Sequence, residues 1–270
     1  MILKLRIAAG SLALASLCAS AAGQDATLTK EEMAEAIRTD DFSLPTPAEL
    51  MVALEKQGKL DWSAKFRPPI ATNYPSRAQL ALNLGSLVAD GFVAVQAEDS
   101  QQVKNLGKDI LQLAKNLGVT KEILMRGSSI TDFAENKQWD QLKEELEATQ
   151  NEVKDSMHMT KDGDLVTLVS VGGWARGVEV ISSHIATHYS EASAKILRQP
   201  AIVQYLNKKL DALPDKLRDD PKVKNVRTRM IEIEMIVTFP RDKAPAVEDV
   251  KKLAGLAKDL VNDIARKDSK

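Results

Sequence analysis

The chain holds a single cysteine, Cys18, in 270 residues. That excludes an internal disulfide and any site built from several thiolates. Aromatic residues are also sparse, with three tryptophans, three tyrosines and five phenylalanines. A core rich in leucine, alanine and valine but poor in aromatics suits a helical bundle better than a sandwich. Neither sign of charge dominates, with 37 basic against 38 acidic side chains. The two signs are interleaved: Lys208, Lys209, Lys216 and Arg218 alternate with Asp211, Asp215, Asp219 and Asp220. No basic stripe is available to neutralise phosphates, so nucleic acid is not an expected partner. The sequence also lacks a nucleotide-binding loop and a glycine-flanked serine at a strand-to-helix elbow. No cofactor is expected, and a catalytic role is not the favoured one.

What is present first is an address. Lys4 and Arg6 precede the apolar run 7–17, and Ala19-Ser20-Ala21 supplies a small-residue cleavage pattern. This is the composition of a signal peptide, read here as 1–21. The expected product is exported, either periplasmic or secreted. Cys18 offers a rival reading as a lipid-bearing first residue, but Leu17 stands before it where a small residue is usual. Removing 1–21 takes away the only cysteine and moves the net charge from −1 to −3. The partner expected is a protein or small molecule of the cell envelope.

The punctuation that follows is helical. "TKEE" (29–32), "TPAE" (46–49) and "SRAQ" (76–79) read as capping boxes, and Pro47 sits where a missing N–H is harmless. Asp220-Pro221 and Thr120 read as further helix starts. Residues 22–75 form a proline-rich arm with one helix, 47–57, whose Trp62 and Phe66 are expected to dock on the main body. The expected fold is an all-α, multi-helix bundle over 76–270. "LVTLVSV" (165–171) and "IEIEMIVTF" (231–239) keep open an α+β alternative with one two-stranded element. A faint echo at an offset of 86 residues, laying 82–95 on 168–181, suggests two related halves, 76–160 and 161–270.

Two segments, 80–97 and 165–185, are apolar on every side, the mark of central helices rather than surface ones. Both contain glycine, which costs a helix about 1 kcal/mol relative to alanine. Gly173 and Gly177, and Ala81, Gly85 and Ala89, stand one turn apart, so the expected use is close backbone packing, with Gly173 and Gly177 facing 81–89. Membrane helices use small residues in the same way, but no transmembrane span is expected here. Each segment also carries a polar stripe: Asn83, Ser86 and Asp90 on the first, Arg176, Glu179 and Ser183 on the second. An unpaired buried charge costs several kcal/mol, so Arg176 is expected to bond Asp90, Glu179 or both. The stripes then make either a buried network or a ligand pocket between the helices. The three histidines raise a third possibility: His184, His188 and Glu191 have helical spacing and His158 lies between two methionines, which could hold copper or zinc. The chain is therefore expected to be a binding or scaffolding protein, with a polar-pocket binder or enzyme and a metal-handling protein as the alternatives.

Overall fold

The computed structural model describes residues 47–56, 58, 60–119, 125–159 and 162–267. The expected signal segment 1–21, the expected capping box at 29–32, Thr46 and the expected start at Thr120 lie outside them. The described residues contain no strand, and the fold is an all-α bundle. In chain order the helices are α1 (Pro47–Glu55), α2 (Arg77–Gln96), α3 (Ser100–Leu117), α4 (Gly127–Glu135), α5 (Trp139–Met159) and α6 (Gly163–Thr187). They continue with α7 (Glu191–Lys195), α8 (Pro200–Asp211), α9 (Asp215–Arg218), α10 (Pro221–Val237) and α11 (Val247–Ala265).

The α+β alternative fails on both segments. Residues 165–171 lie inside α6, and 231–237 inside α10. On α10, Val223, Val226, Met230, Ile233 and Val237 are buried while Ile231 and Met235 are 55% and 70% exposed. A strand would have set Ile231, Ile233 and Met235 on one face. The spacing of three and four prevails because it continues upstream from Val223 under a cap. Asp220 accepts from the backbone N–H groups of Lys222 and Val223, and Pro221 opens the first turn.

Helices α2 and α6 are the centre and run side by side in the same sense. Leu82 meets Gly172, Asp90 meets Arg176, and Phe92 and Val93 share a cluster with Val180. By length and composition both could cross a membrane, but their apolar windows are 94% and 78% buried inside the fold. Helices α3 and α5 pack against the pair with α4 bridging them, and α8, α10 and α11 form a second group packed against it. Residues 60–75 of the arm dock on the core through Leu60, Trp62, Phe66 and Ile70. Trp62 is buried against Met51, Phe92, Val93 and Val180, and its indole N–H donates to Glu55 Oε1 at 2.8 Å.

The last turn of α11 shows how the bundle is closed. Terminal helix carbonyls have no intrahelical partner, and here side chains from distant elements supply donors. Gln79 Nε2 donates to the carbonyls of Ile264 (3.0 Å) and Arg266 (2.8 Å). Asn83 Nδ2 also donates to Ile264 (2.9 Å), Tyr74 to Ala265 (2.9 Å), and the Lys222 ammonium to Asp263 (3.1 Å) and Arg266 (2.8 Å). A cation there also complements the negative end of the helix dipole. This changes the reading of "SRAQ". Ser76 does accept from the Gln79 N–H, but the Gln79 side chain reaches α11 instead of returning to close a capping box.

Candidate functional site

The charged residues of the two stripes meet at one point. Arg176 Nε donates to Asp90 Oδ1 at 2.7 Å, Nη1 donates to Glu179 Oε2, and Nη2 donates to the Lys65 carbonyl at 2.6 Å. Every nitrogen of this guanidinium is engaged. Burial opposes its charge, but the charges and hydrogen bonds of Asp90 and Glu179 hold it above the ordinary arginine value. Asp90 gives its other oxygen to Arg67 of the arm, whose Nε lies 2.7 Å away, and Arg67 Nη2 donates to Ser86 Oγ at 2.7 Å. Two cations and two anions thus form a chain of alternating sign linking arm, α2 and α6.

Arg67 is the member that sequence reasoning missed. It sits in "RPP", on irregular backbone where no periodicity marks a facing side chain. The available signal was charge balance: Asp90, Glu179 and Arg176 alone leave one carboxylate unmatched. Two expected members lie elsewhere. Asn83 Nδ2 serves the Gln79 and Ile264 carbonyls, and its Oδ1 is buried without a partner. Ser183 is half-buried, and its carbonyl accepts from Thr187.

Close packing of α2 on α6 centres on Gly85, Gly172 and Gly173. A Cβ added at Gly85 would stand 1.8 Å from the Val169 carbonyl oxygen, and one at Gly172 would stand 1.9 Å from that of Leu82. A Cβ at Gly173 would meet the Gly85 carbonyl oxygen at 3.3 Å. Gly172, which the helical wheel sets beside the polar stripe, therefore makes the tighter approach. Ala81 and Ala89 are wholly buried, and Gly177 is buried.

The histidines do not assemble a metal site. Among the described residues no group of three or more His, Cys, Asp or Glu side chains could hold an ion. The rings of His184 and His188 stack with centroids 4.5 Å apart, and His188 Nδ1 lies 2.9 Å from Thr187 Oγ1. Glu191 begins a new helix, α7, because the chain turns at Ser190, whose Oγ accepts from the Ser193 N–H. His158 is exposed near the end of α5.

Among the described residues, two cavities bear on function. The smaller, about 270 Å³, lies between the arm, α2 and α3 and is lined by Arg67, Asp90, Asn105 and Asp109 among others. Its main charged pair, Arg67 with Asp90, is already satisfied internally. The larger, about 420 Å³, is walled by five helices. Leu84 and Val88 come from α2, Val103, Leu106, Ile110 and Ala114 from α3, Ile130 from α4, Leu146, Val153 and Met157 from α5, and Val166 and Val169 from α6. The polar residues at it include Gln101, Thr131, Thr149 and Gln150, with Lys104, Lys108 and Lys154. Sequence reasoning did not find this space. It depends on how far α3 and α5 stand off the central pair, and no single helix pattern encodes that distance.

Compared with protein-family models, with curated proteins and with solved structures, the chain matches none.

Proposed function

We propose that this is an exported binding protein without catalytic activity, which holds an apolar small molecule in the cavity between α2, α3, α4, α5 and α6. The observation that carries this reading is the cavity itself. Its volume of about 420 Å³ falls in the range of small-molecule sites, and an apolar wall with a few polar groups is the composition such sites have. A space of this size is far larger than the few voids left between packed side chains in an ordinary core. The polar network does not compete as a site, because its charges are matched within the chain. Export rests on the N-terminal pattern of Lys4, Arg6, the run 7–17 and Ala19-Ser20-Ala21. Burial of α2 and α6 inside the bundle supports a soluble product over a membrane-spanning one.

The test uses the neutral fluorophore N-phenyl-1-naphthylamine with the purified mature chain. Saturable emission enhancement at one equivalent is expected, abolished by Gly107→Phe. Gly107 lines the cavity, and a Cβ added there meets nothing within 4 Å. No uptake, or uptake that Gly107→Phe leaves unchanged, rules the cavity out as the site.

A further inference from the structure

We infer that the natural occupant of the large cavity is a single-chain anionic amphiphile of the fatty-acid class, its carboxylate held at α5 by Lys154 and Gln150. This rests on the cavity reading above and adds the charge and shape of the ligand. The first support is the charge of the lining. Lys104, Lys108 and Lys154 all border the cavity, and no aspartate or glutamate is among the lining residues. In a chain whose acids and bases are otherwise interleaved in near-equal number, a lining with three cations and no anion presents only positive charge to the cavity, although Glu135 neutralises Lys104 from outside it.

Lys154 stands out among the three. Lys104 is paired with Glu135 at 3.0 Å, and Lys108 is exposed. Lys154 is half-buried and makes no ion pair among the described residues. Burial pushes its ammonium below the ordinary lysine value, and the nearby Asp155 charge offsets this only in part. A cation so placed has no carboxylate in ion-pair contact among the described residues, and an anion arriving in the cavity supplies one.

Gln150 is the second support. It lies one turn before Lys154 on the same face of α5, and its Oε1 is buried without a hydrogen-bond partner. A buried amide atom left unpaired carries a desolvation cost that a ligand relieves. Rotation about the last side-chain torsion, a broad and nearly two-fold one, brings either the oxygen or the two N–H donors to that position. With the donors turned in, Gln150 and Lys154 offer a hydrogen bond and an ammonium to one carboxylate. Beyond them the wall is apolar: Leu146, Val153 and Met157 on α5 face Ile110 and Ala114 on α3. That geometry accepts a hydrocarbon chain behind an anionic head.

The experiment compares dansyl-undecanoic acid with its uncharged methyl ester on the purified mature chain, read by dansyl emission. The acid is expected to bind at least about tenfold more tightly than the ester, the effect of one charge-assisted hydrogen bond. Lys154→Met keeps the aliphatic stem and should weaken the acid by roughly tenfold while leaving the ester unchanged. Lys154→Arg should restore the preference. Equal affinity for acid and ester in the unaltered chain, or an acid affinity that Lys154→Met does not move, overturns the anionic ligand while leaving the cavity as a site. Binding of neither probe removes the cavity reading and this inference together.

Discussion

Asp90 stands between two arginines, with Arg176 Nε 2.7 Å from one carboxylate oxygen and Arg67 Nε 2.7 Å from the other. One buried carboxylate thereby joins α6, α2 and the irregular arm. Arg176→Met leaves Glu179 without its arginine and Asp90 with Arg67 alone, and breaking buried pairs of this kind costs up to about 3–5 kcal/mol. Urea denaturation is expected to show that loss. Adding Asp90→Asn should recover only part of it, because the double change leaves Arg67 unmatched in turn. Full recovery in the double variant means that Arg67 contributes nothing to the network.

Glycine positions along the central crossing should separate sharply. Gly85→Ala and Gly172→Ala put a methyl group against backbone oxygen at 1.8 and 1.9 Å, which only separation of the two helices relieves. Each is expected to cost about 3 kcal/mol, the upper end of ordinary overpacking. Gly173→Ala meets its nearest atom at 3.3 Å and should cost much less. Thermal melts of the three alanine variants decide the order, and equal effects at all three would contradict the geometry.

Gly107 should behave in the opposite way. It lies inside α3 with open space before it, so Gly107→Ala should stabilise the chain by about 1 kcal/mol through helix propensity alone. Denaturation midpoints of the alanine and phenylalanine variants provide the check. A destabilised Gly107→Ala would mean that the space is not open.

Acidification should weaken the fold in two stages. Burial lowers the His184 imidazole below its ordinary value, with the Lys65 charge and then His188 adding to the shift. The unfolded chain then takes up the proton first, so stability falls as pH drops below about 6.5. His184→Gln should flatten that stage. At Asp263 burial acts to raise the carboxyl, but hydrogen bonds from Asn225 and Arg229 and the charges of Arg229 and Arg266 hold it below the ordinary carboxylate value. Its contribution is present above about 3.9 and is lost as pH falls further. Asp263→Asn should diminish that second stage in a series of urea melts, with Asp219, which Lys224 also holds low, contributing to the rest.

Export has a direct readout. The chain expressed with 1–21 is expected to yield a mature protein beginning near Ala22, seen by N-terminal sequencing of the envelope fraction. Retention of Met1, or a lipid on Cys18, contradicts the proposed address.

Much of the architecture was legible because it rests on local rules. The all-round apolar character of 80–97 and 165–185 marked the central pair, and Asp220-Pro221 marked the start of α10. The charge on Arg176 pointed to a partner because an unpaired buried cation is so costly. What escaped is non-local. Arg67 has no periodic neighbour to announce it, and Gln79 has the spacing of a capping residue but finds better acceptors on a helix 185 residues later. Gly172 looked polar-facing on a wheel because a wheel does not give the crossing point. The large cavity comes from the offset between helices, which no residue pattern records.

The clamp on α11 has a bearing on when the chain can fold. Tyr74, Gln79, Asn83 and Lys222 all direct donors to carbonyls between Asp263 and Arg266. While those residues are still unmade, the donors on α2 and α10 have no acceptors and α6 lacks the helix that covers one of its flanks. A nascent chain therefore cannot reach this closed state before α11 is made. Under the export proposed above, a chain crossing a membrane as an extended strand would stay pliable until α11 had followed it. The contacts that close the bundle thereby also set the order in which it can assemble.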